Sequence, residues 1–230
     1  MKKSILSLTL MAVALLASRC APTRIVKPLE RGEQQISASL GGPMIKFGGA
    51  AIPIPMTSVS YARGFSGTLT GFGGVALTDL AFQNVHIDLG VTKGLLQPSG
   101  WRPGVSVSPS LHFLQPFSAS TKAGDTRLYP VLDANAYWNV SAKNNTAYVG
   151  LSNWFELVAL RAHGELQKDV WIPSAQVGYI FNGRGNMRYT LEARYMAWFN
   201  DNVKLVPEYI SPTKTGAVGL YFGISKGFGK

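Results

Sequence analysis

The chain has 230 residues, of which 46% are hydrophobic and only 15% are charged, and its formal net charge is +10. Soluble domains usually carry about a quarter charged residues, so this chain is short of the groups that keep a surface in water. Beyond the first 20 residues no stretch offers the roughly 18 consecutive apolar residues of a membrane helix, so any membrane span must consist of strands.

The first 20 residues have the layout of an export signal. Lys2 and Lys3 precede an apolar run that is too short to span a bilayer, and the single cysteine, Cys20, follows that run. The stretch Ala17-Ser18-Arg19-Cys20 resembles the lipobox of bacterial lipoproteins, which implies lipidation of Cys20. Arg19 departs from that pattern, which has a small residue before the cysteine, so an unmodified and conventionally cleaved signal is the alternative. One cysteine allows no intramolecular disulfide.

The rest of the chain has the length of one domain. About 210 residues follow the signal, a common size for an all-β barrel. Residues 21–32 contain two prolines and predict a periplasmic tether, and residues 33–230 form the predicted barrel. Removal of the signal leaves 19 basic and 12 acidic residues. Because exported proteins do not normally meet nucleic acid, this excess indicates attraction to outer-membrane lipid and lipopolysaccharide, with other envelope proteins as further candidate partners.

Ten segments have the alternation of a strand with two different faces. Side chains in a strand point alternately to opposite faces, so an apolar parity and a small or polar parity define two surfaces. The predicted strands are residues 33–41, 56–63, 68–78, 82–93, 104–114, 127–140, 148–157, 171–181, 188–199 and 215–228. The third is the weakest because Gly71, Gly73 and Gly74 interrupt it.

The last predicted strand shows the two faces most clearly. Val218, Leu220, Phe222, Ile224 and Phe228 share one parity, whereas the other parity holds mainly glycine, alanine, serine and one tyrosine. Small and mildly polar residues suit the inside of a closed barrel, and apolar residues suit its contact with lipid. Phe228 also resembles the terminal aromatic signal of bacterial outer-membrane barrels, although Gly229 and Lys230 follow it.

Short and long connections alternate along the chain, as in barrels with periplasmic turns and extracellular loops. The 79–81 link is shorter and the 96–103 link longer than this pattern requires, so an eight-stranded closure is the alternative. Residues 42–55 predict an apolar loop rich in glycine and proline. The chain as a whole resembles the small bacterial outer-membrane β-barrel proteins, which implies a closed antiparallel up-and-down transmembrane barrel with its N-terminus in the periplasm.

Two groups of inward residues are candidates for chemistry. Pairing of the fourth and fifth strands with Lys93 opposite Val105 brings His86 opposite His112, with Asp88 one inward step away, and such groups serve acid/base catalysis or metal binding. Polar lining of the lumen is the simpler interpretation, and we assign neither a metal nor a cofactor. A second group predicts a lumen charge network that plugs the barrel; its members are Asp133, Glu156, Arg188, Glu192 and Arg194.

The predicted function is therefore a bacterial outer-membrane barrel with a structural or partner-binding role and a lumen plugged by side chains. A narrow diffusion pore is the first alternative, and a hydrolase at the extracellular rim is the second. A soluble lipid-anchored barrel with its apolar faces turned inward is less consistent with the glycine, tyrosine and serine of the other parity.

Overall fold

A computed structural model describes residues 22–117, 126–140, 145–157, 170–201 and 209–229. Within these ranges the chain forms eleven strands and one short helix. They are β1 (Gln34–Phe47), β2 (Ala50–Pro53), β3 (Thr57–Ser66), β4 (Leu69–Ala76), α1 (Leu77–Ala81), β5 (Asn84–Leu96), β6 (Gly104–Pro116), β7 (Arg127–Asn139), β8 (Thr146–Phe155), β9 (Trp171–Asn182), β10 (Met187–Asp201) and β11 (Thr215–Phe228). Among these described residues, no helix has the length and hydropathy to cross a membrane.

Ten of the strands form a closed antiparallel barrel. Each strand from β3 to β11 pairs with its neighbour in sequence, and β1 pairs with β3. The wall closes where β1 pairs with β11, from Gln34 opposite Phe228 to Pro43 opposite Gly219. β2 pairs only with β1, outside the wall. The prediction of ten strands is confirmed, and the eight-stranded alternative is wrong because the glycine-rich segment forms the full strand β4.

The two faces of the wall follow the predicted alternation. In β11, Leu220 and Phe222 are 40% and 46% exposed on the outside, whereas Tyr221 is 1% exposed on the inside. In β5, Leu89 is exposed on the outside, whereas its neighbours Asp88 and Gly90 are buried and half-buried. The outer face of the barrel is therefore apolar, and the polar side chains lie in the lumen.

The two ends of the barrel differ. The strands β3 and β4, β5 and β6, β7 and β8, and β9 and β10 are joined at one end, which we call the turn end, where Glu33 and Phe228 also lie. The hairpin of β2 and helix α1 lie at the other end, which we call the loop end. Short and long connections alternate as the sequence predicts, except that 97–103 at the turn end has seven residues, as many as 77–83 between β4 and β5.

The apolar segment 42–55 is a hairpin and not the predicted loop. β1 continues to Phe47, the chain turns at Gly48 and Gly49, both with positive φ, and β2 pairs back along β1. Ile45 and Ile54 of this hairpin pack against a buried cluster at the loop end formed by Met196, Tyr209 and Ala217. Ile45 and Ile54 are partly buried in this way, whereas Phe47 and Ile52 of the same hairpin are exposed. Pro53 is tolerated because β2 is an edge strand.

The third predicted strand ends earlier than expected. β4 stops at Ala76, and residues 77–81 form the single turn of α1. Leu77 and Leu80 are exposed, while Asp79 is 1% exposed and points into the barrel. The predicted short link at 79–81 is therefore wrong, because its residues belong to a helical turn with its own buried side chain.

Residues 22–29, which we call the lumen segment, occupy the inside of the barrel. The sequence predicts a tether outside the barrel over residues 21–32, but Ile25 and Leu29 form a buried cluster with Ala62 and Phe72 of the wall. Val26 packs between Tyr137 and Tyr148. The predicted tether is corrected here: its three large apolar side chains are buried against the lumen wall instead of being exposed beyond it.

Candidate functional site

The lumen segment enters the barrel beside Gly64 at the turn end. Backbone hydrogen bonds of 2.9 Å join Gly32 N to Gly64 O and Gly64 N to Glu33 O. A Cβ atom at Gly64 would lie 2.0 Å from the Glu30 carbonyl oxygen, so glycine is required for this close approach. Further in, Leu29 N donates to Thr70 Oγ1 at 2.8 Å.

Hydroxyl groups of the wall bind the backbone of the segment at two more places. Ser106 Oγ donates to Val26 O at 2.6 Å, and Thr92 Oγ1 donates to Ile25 O at 3.4 Å. Both hydroxyl-bearing residues are fully buried on the inner face. The segment has no strand partner of its own, so these side chains satisfy backbone groups that would otherwise be buried without a partner.

Glu192 holds the beginning of the segment. Its carboxylate is fully buried and accepts hydrogen bonds from Thr23 N at 3.0 Å and Thr23 Oγ1 at 2.8 Å. Tyr148 OH donates to the same carboxylate at 2.8 Å, and Arg194 donates through Nε and Nη2 at 3.1 and 2.8 Å. A buried charge is tolerated when it is paired and fully hydrogen-bonded, which is the case here.

Arg24 crosses the lumen to the opposite side of the wall. Its Nε and Nη2 donate to the two carboxylate oxygens of Asp88 at 3.2 and 2.6 Å, and its Nη1 donates to Ser58 Oγ at 2.8 Å. A Cβ at Gly74 would lie 2.7 Å from Arg24 Nη2 and 2.8 Å from Asp88 Oδ2. The absence of a side chain at Gly74 therefore leaves the space in which this ion pair lies.

The residues of the predicted charge network lie in three places. Glu192 and Arg194 form the buried pair in the middle of the lumen, with Asp133 lining the same cavity as Arg194. Arg188 pairs with Glu33 at 2.6 Å at the turn end. Glu156 lies beyond the end of β8 and contacts Arg127 at 3.6 Å. The first place also contains Thr23, a residue predicted to lie outside the barrel.

The structure brings His86 and His112 together inside the barrel. His86 Nε2 lies 3.1 Å from His112 Nδ1, and Asp88 stands directly opposite His112. Asp79 of α1 completes the row, with Oδ2 at 2.6 Å from His86 Nδ1. A row of carboxylate and two imidazoles can orient a proton or line a polar lumen. Within the described part of the chain, no group of three or more metal-ligating side chains is arranged to hold an ion.

The sequence did not predict that Thr23, Arg24 and Asp79 belong to this site. One signal was available: Asp88 lies on an inward parity with no cationic side chain opposite it in the strand pattern. A buried carboxylate without a partner is costly, so a cation from outside the strands was to be expected. The signal does not say where in the chain that cation lies.

Two cavities of about 40 Å³ each remain next to the start of the lumen segment. Pro22, Thr23 and Arg24 line both of them. A cavity needs about 10–15 Å³ to hold one water, so each has room for about three. The spaces beside the start of the lumen segment are therefore of the size of a few waters.

No protein-family model matches the chain, and no curated protein matches its sequence. Solved structures with a similar chain path are membrane barrels. An outer membrane channel from Pseudomonas putida F1 is 8% identical, with 90% of this chain and 100% of that chain covered and a TM-score of 0.49. The NanC porin is 8% identical, with 84% and 98% covered and a TM-score of 0.44. OprG from Pseudomonas aeruginosa is 12% identical, with 89% and 99% covered and a TM-score of 0.28.

The fold rests on the closed hydrogen-bond ladder of this chain itself. An antiparallel barrel of ten strands with an apolar outside and a polar inside defines the class of transmembrane β-barrel proteins. The structures named above belong to the same class.

Proposed function

We propose that this protein is a bacterial outer-membrane β-barrel whose lumen is closed by its own lumen segment, and that its role is structural or partner-binding. Lipid contact is supported by the outer face, where large apolar side chains from every part of the wall are a third to two thirds exposed. Examples along the chain are Ile36, Leu89, Leu151, Leu191 and Phe222. A water-exposed surface of this composition would be an aggregation hazard, whereas hydrocarbon is its natural environment.

The observation that supports closure is the course of residues 22–29 through the lumen. They are bound by side chains of five different strands, at Ser58, Thr70, Asp88, Ser106 and Glu192. The prediction of a plugged lumen included only side chains of the wall. In this proposal the plug is a stretch of backbone, with the wall charges serving to hold it.

A narrow diffusion pore is the second candidate function. It corresponds to the same barrel with the lumen segment withdrawn, because the wall closes through β1 and β11 without any contribution from the segment. The rim hydrolase would use His86 and His112, which lie in the lumen below the loop end.

The location of Cys20 bears on the proposed lipid anchor. Cys20 lies outside the described residues, but Pro22 contacts the middle of β11, where a Cβ at Gly223 would be 3.5 Å from Pro22 Cγ. Two residues reach at most about 7 Å. We propose that the lumen segment enters from the periplasmic side, and that lipidation of Cys20 and insertion of the segment exclude each other in one molecule.

Single-channel recording in planar bilayers tests closure. The full-length mature protein, with its fold verified by heat-modifiable gel mobility, is expected to give no steady ion conductance. A variant that lacks residues 21–29 is expected to conduct. Reproducible conductance of the unmodified protein at the same level as the deletion variant would contradict the proposed closure.

A further inference from the structure

The contacts of Arg24 describe a complete receptor for a guanidinium group. Three nitrogen atoms of Arg24 each donate to a different oxygen, two on Asp88 and one on Ser58. A carboxylate that meets a planar guanidinium edge-on gives the bidentate geometry that distinguishes arginine from lysine. The acceptors are 2% exposed, so they are out of reach of bulk water.

The wall holds these acceptors in place without help from the segment. Asp88 lies in the middle of β5, between its partners Gly74 on β4 and His112 on β6. Ser58 Oγ is 2.6 Å from Ser39 Oγ on β1. Both residues are thus fixed by the barrel ladder, and Gly74 keeps the space next to the carboxylate open. A site built on strands remains in position when its occupant leaves.

The other cationic side chains described near this carboxylate have partners of their own. Arg194 is bound to Glu192 through two nitrogen atoms and lies 5.5 Å from the ring of Tyr221. His86 is bound to Asp79, and His112, which stands directly opposite Asp88, is bound to His86 through Nδ1. Departure of the lumen segment therefore leaves Asp88 without its guanidinium partner, a state that favours binding of a new cation.

We propose that Asp88, Ser58 and Gly74 form a guanidinium-binding site in the lumen, occupied by Arg24 in the closed barrel and able to take the arginine of another extended peptide when the segment is withdrawn. This inference rests on the proposed function. The side chains of Thr70, Ser106 and Glu192, which bind backbone groups of the segment, favour a peptide over free arginine.

Chemical rescue in the full-length chain tests the site. The variant Arg24→Ala empties the site, and its thermal unfolding is followed by heat-modifiable gel mobility with methylguanidinium or methylammonium added at equal ionic strength. Methylguanidinium is expected to raise the Tm saturably, with an apparent Kd about tenfold below that of methylammonium. The double variant Arg24→Ala/Asp88→Asn is expected to lose this effect, and Lys27→Ala, which removes an exposed cation of the same segment, is expected to behave as the unmodified protein.

A second experiment uses peptides to test whether the site binds the arginine of another chain. A synthetic peptide with the sequence of residues 22–30 is added to the variant that lacks residues 21–29, in which the partners of the segment's backbone are free, beside the same peptide with lysine in place of arginine. The arginine peptide is expected to bind more tightly by about tenfold. If Arg24→Ala does not fold, Arg24→Lys replaces it, and methylguanidinium is expected to compete with the lysine.

Equal effects of the two small cations, or rescue that survives Asp88→Asn, would overturn the proposed site. Equal binding of the two peptides would overturn its extension to arginine peptides. The bilayer recording of the unmodified protein tests closure separately from these experiments. If the unmodified protein does not conduct and methylguanidinium does not stabilise Arg24→Ala, only the proposed site is contradicted. If the unmodified protein conducts and methylguanidinium does stabilise Arg24→Ala, only closure is contradicted.

Discussion

Gly64→Ala is expected to dislodge the lumen segment at its point of entry. The added Cβ would lie 2.0 Å from Glu30 O and 3.0 Å from Leu29 O, and ordinary contact begins at 3.4 Å. Both oxygens belong to backbone, so the segment must move by about 1.4 Å at its nearest atom, and overpacking of this kind costs about 1–3 kcal/mol. Gly64 does not have a positive φ, so the effect is one of space and not of backbone strain.

The shift also breaks specific hydrogen bonds. Those between Gly32 N and Gly64 O and between Gly64 N and Glu33 O contribute about 0.5–1.5 kcal/mol each. The expected result is a lower temperature of unfolding in the heat-modifiable gel assay, together with channel openings in planar bilayers. Openings are expected because the segment is displaced while the wall is kept.

Gly67→Ala is the matched control, since a Cβ at Gly67 has no atom within 4 Å and the residue lies in the turn that follows the same strand. It is expected to leave both unfolding and conductance unchanged. If Gly64→Ala and Gly67→Ala unfold at the same temperature and both remain silent, the placement of the lumen segment beside Gly64 is wrong.

Three further predictions concern the segment and the wall. Thr23→Ala removes the hydroxyl donor to Glu192, and because bonds to charged groups contribute about 1.5–3 kcal/mol, thermal unfolding should occur at a lower temperature, whereas Thr23→Ser should restore it. Leu89→Arg places a charge on the lipid-facing side of β5, where Leu89 is 65% exposed; insertion into vesicles should lose about 2–4 kcal/mol, whereas Leu89→Ala should insert nearly normally. A barrel opened by deletion of residues 21–29 loses Arg24 and keeps Asp88, so its lumen gains negative charge. Its reversal potential in a KCl gradient should therefore indicate a preference for K⁺ over Cl⁻, and a preference for Cl⁻ would contradict the pairing of Arg24 with Asp88.

The strand pattern was predictable because the two faces of the wall contact different environments. The alternation in residues 215–228 predicted both bounds of β11, and the same logic placed His86 and His112 on the inner face. The register between β5 and β6 differs from the prediction by two residues: His112 faces Asp88 and not His86. The pairing also shifts by one residue between Gly94 and Leu96 at the turn, and such a bulge leaves no clear mark in the alternation.

The lumen segment was not predictable by the same logic. Its apolar residues Ile25, Val26 and Leu29 follow no strand period, and Pro28 among them disfavours a helix, because the segment has no ladder partner and its backbone is bound by side chains of the wall. Its contacts also span great distances along the chain, 64 positions from Arg24 to Asp88 and 169 from Thr23 to Glu192. Local patterns contain no information on such pairs, whereas the unpaired inward charge of Asp88 did indicate that a partner was missing.

Crosslinking between the segment and the wall tests the central claim most directly. In a Cys20→Ser background, the pair Pro22→Cys/Gly223→Cys places two thiols where a Cβ at Gly223 would lie 3.5 Å from Pro22 Cγ. The pair Ser39→Cys/Ser58→Cys, whose native hydroxyls are 2.6 Å apart on neighbouring strands, is the positive control for oxidation. Mass spectrometry of proteolytic fragments is expected to detect a disulfide in both proteins. A disulfide in the control and none between residues 22 and 223 would show that the lumen is not occupied as described.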